Sequence, residues 1–327
     1  MILAGDIGGT KTILGLFAPG GGTLALVREH TYSSAAAPSL EAMIADFLGA
    51  GGAAAVRAAC FGVAGAVLGG RAKLTNLSWT ASREGVAALL PGARVALVND
   101  VQATAFGALH LEPGRLHALN EGAPPAEPGN VAVIAAGTGL GEGFLVWDGA
   151  RYRPAASEGG HADFAPRNEA EIELWRFLAA RFGRVSYERI LSGPGLAALH
   201  EFERARSGRA PSPALAARLA AGDPAAAVTE AALAREDECC VAALDRFCEI
   251  YGAEAGNLAL KVLATSGVVV AGGIAPRILP MLTQSAFMQA FTAKGRFADM
   301  LARVPVKVVL ETRVALIGAA HLAAEEP

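Results

Sequence analysis

Two apolar strands in this chain each run into a glycine turn and straight out into another strand, and this repeat limits the fold more than any other feature. The first is Met1-Ile2-Leu3-Ala4, leading through Gly5-Asp6-Ile7-Gly8-Gly9-Thr10-Lys11-Thr12 into Ile13-Leu14-Gly15-Leu16-Phe17. Gly8 and Gly9 carry no Cβ to keep an anion away from the backbone N–H groups, and Thr10 and Lys11 set a hydroxyl and an ammonium beside them. Such a turn holds a phosphate, and Asp6 supplies the carboxylate that a magnesium–phosphate pair needs nearby, directly or through water. The second unit is Val131-Ala132-Val133-Ile134-Ala135-Ala136, then Gly137-Thr138-Gly139-Leu140-Gly141-Glu142-Gly143, with β character expected again from Phe144. A Walker loop or a dinucleotide fingerprint would place a helix after the glycines, whereas a strand follows here. A third glycine break, Val268-Val269-Val270-Ala271-Gly272-Gly273-Ile274-Ala275-Pro276-Arg277, reads as a buried strand ending in a turn, with Pro276 near the first turn of a helix. Close backbone approach at Gly272 and Gly273 suits a nucleotide base or ribose.

A hairpin that binds phosphate points to the actin-like ATPase architecture, an α/β fold related to ribonuclease H, with two α/β domains flanking a deep cleft. The 327 residues allow a sizeable core and two domains. Residues 1–110 with 308–327 read as the smaller α/β domain, and 111–307 as a larger one with helical insertions. The Pro- and Gly-rich stretch 111–130, with Pro113, Pro124, Pro125 and Pro128, marks the crossing. A three-stranded meander is expected over about 1–31, turning at Pro19-Gly20-Gly21-Gly22. Helices follow near 38–49 and 82–90, with strands near 56–63 and 94–98. Helical periodicity covers 168–183 and most of 194–264, and a strand at 305–310 precedes a last helix over 314–324 that packs back on the first domain.

Composition excludes several classes. The 53% hydrophobic content is inflated by alanine, and the longest run without Asp, Glu, Lys or Arg, residues 278–293, falls short of a spanning helix. A core strand starts at once without a basic leader, so no secretion is expected. The four cysteines at 60, 239, 240 and 248 show no C-x-x-C spacing, which suits a reducing cytoplasm. A net charge of −3 with scattered basic residues removes the footprint of a nucleic-acid binder.

An acceptor site is legible in three segments. Val98-Asn99-Asp100-Val101-Gln102 places two polar residues at the carboxyl end of a buried strand, where open α/β sheets bind ligands. Asp100 reads both as a helix N-cap and as a base for a hydroxyl attacking a γ-phosphate. Glu158 and His161 lie three apart across glycines, and Glu188 precedes the turn Ser192-Gly193-Pro194-Gly195. Asn99, Asp100, Glu158, His161 and Glu188 make a set suited to several sugar hydroxyls.

These motifs together resemble the bacterial glucokinase family, the branch of ATP-dependent enzymes in the hexokinase and actin-like superfamily separate from the ROK kinases. The resemblance spans Gly5 to about His321 through GDIGGTKT at 5–12, VNDVQATAFG at 98–107, GTGLG at 137–141, SEGGHADFAP at 157–166, ERILSGPGL at 188–196 and AGGIAPR at 271–277. It implies that Asn99, Asp100, Glu158, His161 and Glu188 bind glucose, that Asp100 is the catalytic base, and that ATP and Mg²⁺ are the co-substrate and metal. ATP and its phosphates fall to Asp6, Gly8, Gly9, Thr10, Lys11, Gly137, Thr138, Gly139, Gly272 and Gly273, the last two on the side of the base or ribose. Homodimerisation is a family expectation. The ROK branch carries a cysteine-rich zinc site shortly after its Gly-His pair; no cysteine occurs between 60 and 239 here, so structural zinc is not expected. Glu311-Thr312-Arg313-Val314-Ala315-Leu316 departs from the Asn-Pro or Arg-Pro-Gly the family often has, which leaves the adenine contacts unassigned. The rivals are a kinase for mannose or N-acetylglucosamine, a sugar-sensing regulator that has lost turnover, and a chaperone-type or filament ATPase. The last would have no use for the residues at 158, 161 and 188.

Overall fold

A computed structural model describes residues 1–20, 23–74, 77–123, 125–284 and 286–325. The expected turn at Gly21-Gly22 and the expected crossing residue Pro124 lie outside the described residues. The chain forms two compact units, one of Met1–Arg115, Phe144–Ala156 and Glu311–Pro327, the other of Leu116–Gly143 and Ser157–Leu310. This division differs from the sequence boundaries chiefly in the segment Phe144–Ala156, which groups with the first unit.

The first unit begins β1 (Ile2–Ile7), β2 (Lys11–Gly20), β3 (Thr23–Ser33), α1 (Leu40–Leu48) and β4 (Ala58–Val63). Short strands β5 (Val67–Leu68), β6 (Arg71–Lys73) and β7 (Thr80–Ser82) follow, then α2 (Arg83–Leu89), β8 (Arg94–Asn99) and α3 (Asp100–Ala108). The main sheet runs β3-β2-β1-β4-β8, antiparallel over β3-β2-β1 and parallel from β1 through β4 to β8. Alternation along β1 explains its place at the centre. Leu3 and Ile7 enter one core with α1 residues such as Ile44 and Phe47, while Ile2 and Ala4 enter another with Leu316 and Ala319 near the C-terminus. A strand apolar on both faces must be covered on both faces. Asp6 shares the parity of Ile2 and Ala4, so its carboxyl sits at the end of a buried row. The β5–β7 sheet was not legible, because strands of two or three residues carry too little periodicity.

The second unit contains β9 (Leu116–Asn120) and β10 (Val131–Ala136), then β11 (Leu140–Trp147) and β12 (Tyr152–Ser157), which extend beyond its bounds. Helices α4 (Glu169–Phe182), α5 (Gly193–Ser207), α6 (Pro213–Ala220), α7 (Pro224–Leu233) and α8 (Glu238–Val262) lead to β13 (Gly267–Ala271). Then come α9 (Leu279–Leu282), α10 (Ala286–Thr292), α11 (Ala298–Ala302) and β14 (Val306–Val309), and α12 (Val314–Ala324) returns to the first unit. The second sheet has the order β12-β11-β10-β13-β14-β9. Two expectations need correction. Strand character resumes at Leu140 rather than Phe144, so Gly141 and Gly143 are strand residues. Residues 272–278 are turns, and the helix begins at Leu279 with Pro280 in its first turn, so Pro276 opens no helix. No helix of the described residues is long and apolar enough to cross a membrane.

The last helix is held to the first unit by a close backbone crossing. A Cβ on Gly107 of α3 would collide with the Val314 carbonyl of α12, and one on Gly318 with the Ala103 carbonyl. Only hydrogen at both positions lets the two helices approach this closely. Gly318→Val should therefore cost at least about 3 kcal/mol, the top of the usual overpacking range, because the obstacle is backbone and cannot rotate away. A chemical-denaturation midpoint equal to wild type would refute this packing.

Candidate active site

In the first unit the hairpin between β1 and β2 is closed by its own backbone: Gly8 N–H donates to Lys11 O at 3.0 Å. That amide is therefore committed to the turn, leaving Gly9 and Thr10 at the tip as the amides an anion would meet. The turn is braced from behind by Ser34, whose hydroxyl donates to Gly8 O at 2.7 Å and lies 2.9 Å from Thr12 Oγ1, and whose N–H donates to Thr10 O at 3.0 Å. Trp79 Nε1 in turn donates to Ser34 O at 3.2 Å. Burial pushes the Asp6 carboxyl up to about 6, and the Lys11 charge counters only part of that push. A carboxylate whose charge is incompletely compensated in a buried position fits a cation.

Asn99 and Asp100 divide the roles that sequence left open. The N-cap of α3 is Asn99, not Asp100: Asn99 Oδ1 accepts from Val101 N at 2.9 Å, and Gln102 Oε1 accepts from Asn99 N at 3.0 Å, a capping box. Asn99 Nδ2 also donates to Gly65 O at 3.1 Å, and the residue is only 7% exposed. Gln102 Nε2 reaches Pro154 O at 3.1 Å. Asp100 is the first helical residue, half-buried, at the end of the dipole that favours negative charge. The spacing N-x-x-Q ahead of Ala103-Thr104-Ala105-Phe106 was the signal for the box.

In the second unit Gly137 N–H donates to Gly139 O at 2.8 Å and Gly137 O accepts from Gly193 N at 2.8 Å, so this turn is also self-closed and tied to the start of α5. Thr138 and Gly139 are left as its tip. Glu188 joins the turn to the sugar-type residues: its Oε2 accepts from Leu140 N at 3.0 Å, and its Oε1 lies 3.7 Å from His161 Nδ1. Glu158 Oε2 lies 3.8 Å from His161 Nε2. Both separations exceed hydrogen-bond range, so the imidazole and its two carboxylates keep donor and acceptor capacity for hydroxyls. Their side chains are 59% (Glu158), 56% (His161) and 32% (Glu188) exposed. Gly272, at φ 85°, sits where any Cβ would strike the Ala136 backbone, which brings the Gly272-Gly273 turn beside the end of β10. Tyr251 braces both strand ends, its hydroxyl lying 3.2 Å from Ile134 O, 3.3 Å from Ala271 O and 3.3 Å from Ala136 N.

Against this geometry, a family model described as Glucokinase matches residues 3–326. The chain belongs to the glucokinase family. It is 43% identical to a glucokinase of Nostoc punctiforme over 99% of both chains, and 42% identical to one of Synechocystis over 99% of this chain and 98% of that one. A crystal structure of a glucokinase from an Antarctic psychrotroph superposes with a TM-score of 0.86 at 32% identity, covering 99% of each chain. A ROK glucokinase of Streptomyces griseus, solved with glucose and AMPPNP, shares the fold at a TM-score of 0.67 and 22% identity over 99% of each chain. The fold is the actin-like ATPase fold.

Family membership leaves one buried acid unexplained. Glu142 on β11 is 1% exposed, and neither carboxyl oxygen has a hydrogen-bond partner among the described residues. Its carboxyl packs against Gly159, inside the turn that carries Glu158 and His161. Sequence reading passed over it as one more residue of a glycine turn; a lone carboxylate at an inward strand position was the available signal. Burial, reinforced by Glu254 and partly countered by Lys261, raises it from 4.5 to about 7. A raised carboxyl pKa favours the folded state least where the group must ionise. Stability is thus whole below 4.5, the unfolded value, and falls as pH rises through about 7. Glu142→Gln, neutral at every pH, should gain in melting temperature relative to wild type across that window. A pH-independent difference would show that Glu142 carries no such proton.

Proposed function

We propose that this chain transfers the γ-phosphoryl of ATP to the 6-hydroxyl of D-glucose in the cytoplasm, giving glucose 6-phosphate and ADP. The observation that carries this reading is the accessible His161 imidazole, flanked at 3.8 and 3.7 Å by Glu158 and Glu188, with Glu188 also bonded to the glycine turn 137–139. A polyol offers hydroxyls that both donate and accept, which two carboxylates and an imidazole answer together. The enzyme class is ATP-dependent hexose kinase, in keeping with relatives named glucokinase at 42–43% identity.

In this reading glucose is bound by Asn99, Asp100, Glu158, His161 and Glu188. Asp100 accepts the proton of the 6-hydroxyl as its oxygen bonds to the γ-phosphorus and the bond to the ADP oxygen breaks. Catalysis of so loose a transfer is mostly alignment and charge neutralisation. Gly9, Thr10 and Lys11, with Thr138 and Gly139, cradle the phosphates, while Gly8 and Gly137 hold the shape of their turns. Gly272 and Gly273 leave room for the nucleoside. Mg²⁺ held near Asp6, directly or through water, supplies neutralisation of the phosphate charge.

Because Asn99 already caps α3, Asp100→Asn tests chemistry without disturbing the helix. Turnover of Asp100→Asn should fall by about 10²- to 10⁴-fold, the usual contribution of a general base, while glucose binding by calorimetry weakens much less. Retention of more than about a tenth of wild-type kcat would remove Asp100 from the role. A coupled assay across glucose, mannose and N-acetylglucosamine reads the acceptor preference, and the reading requires glucose to be the best acceptor.

The metal has its own signature. Asp6 is neutral below about 6 and loses its attraction for a cation there. The Mg²⁺ concentration for half-maximal rate should therefore rise as pH drops through about 6 in wild type more steeply than in Asp6→Asn. The variant serves as the control for the titration of ATP itself, and parallel curves would separate Asp6 from the metal.

A further inference from the structure

A second set of donors lies apart from the sugar residues, where α5 meets the start of α8. His200, Asp237 and Cys240 each offer one ligand atom, and the three atoms lie within 4.8 Å of one another. His200 is 2% exposed and Cys240 is fully buried, whereas Asp237 is half-buried and gives the cluster one member in reach of solvent. His200 Nε2 is buried with no hydrogen-bond partner among the described residues, a costly state for a ring nitrogen unless something else takes its lone pair or proton. Asp237 caps α8 by accepting from Cys240 N at 2.8 Å through Oδ1.

We infer that His200, Asp237 and Cys240 form a binding site for a single divalent zinc-class cation in the second unit. The donor set of one imidazole nitrogen, one thiolate and one carboxylate suits a borderline cation such as Zn²⁺ and suits Mg²⁺ or Ca²⁺ poorly. Zinc bonds of about 2.0–2.3 Å put tetrahedral ligands roughly 3.4–3.8 Å apart, so the side chains need draw together by only about 1 Å. The fourth position falls to water.

The charges and protons balance. In the metal-free protein Cys240 carries an ordinary thiol beside Asp237 and His200. Zn²⁺ replaces the thiol proton: the sulfur–hydrogen bond breaks, a sulfur–zinc bond forms, and one proton leaves to solvent. Thiolate and carboxylate then cancel the two positive charges, so no net charge is left buried. The neighbouring Cys239 is engaged elsewhere, its sulfur 3.3 Å from Ser207 Oγ. The site lies apart from the position after Gly160-His161 where the ROK branch carries its cysteines, and it stands against the sequence expectation that the chain holds no structural zinc.

The test uses the full chain, stripped with a chelator and titrated with Co²⁺, then with competing Zn²⁺. One equivalent of Co²⁺ should produce thiolate-to-cobalt charge-transfer absorption that Zn²⁺ bleaches, and Cys240→Ser should abolish the band while glucose-phosphorylating turnover stays at the wild-type level. Zn²⁺ affinity should drop by more than about 100-fold in both Cys240→Ser and His200→Gln, beyond the 10- to 100-fold typical of groups that only orient ligands. His200→Gln carries the test alone where Cys240→Ser does not fold. No charge-transfer band in wild type, or a band that survives in Cys240→Ser, would overturn the site.

Discussion

The carboxylate of Glu188 is the interaction on which the candidate site of the second unit depends. One oxygen holds the amide that ends the glycine turn at Leu140, the other faces His161, and the residue's own carbonyl accepts from Ser192 Oγ at 2.7 Å. Ser192 in turn caps α5 by accepting from Gly195 N at 3.1 Å. A single side chain thus holds the phosphate-type turn by one bond and presents its other oxygen toward the imidazole, and its loss would leave the Leu140 amide without its carboxylate. A charge-assisted bond of this kind is stronger than a neutral one, so the arrangement is set before any ligand arrives. Gly139 has no side chain for the same reason, since a Cβ there would run into the Glu188 carboxylate.

The two glycine turns show the same economy in unrelated sequence. In each, the first glycine spends its amide closing the loop, Gly8 on Lys11 and Gly137 on Gly139, and the following residues form the tip. Each turn is then braced from outside: Ser34 with Trp79 behind the first, Gly193 and Glu188 behind the second. Rigid tips matter for phosphoryl transfer, because a donor already aimed costs no reorganisation when the charge moves.

Sequence carried the outline because the relevant signals are local. Ile2, Leu3, Ala4 and Ile7 announce a strand buried on both faces, and the strand, turn, strand pattern is visible wherever glycines interrupt such a run. Most long helices declared themselves through their periodicity, and the structure adds caps such as Ser39, Asn168 and Asp237. What stayed hidden depends on partners far along the chain. Ser34 looks like any loop serine until Gly8 and Trp79 are placed around it, and Tyr251 looks like a core aromatic until its hydroxyl is seen at two strand ends. The cap of α3 was assigned to the wrong neighbour because Asn and Asp cap equally well and only the backbone decides which one stands outside the helix. Glu142 was invisible for a different reason: its identity says exposed, and only its surroundings say buried.

The crossing of α3 and α12 at Gly107 and Gly318 links chain regions more than two hundred residues apart to the helix that begins with Asp100. With Asp100 at one end of this nine-residue helix and Gly107 near the other, the tightness of that crossing sets how far the helix can tilt as a body. A change at this crossing would therefore reach the Asp100 carboxylate through the backbone of one helix, without altering any side chain of the candidate sugar set.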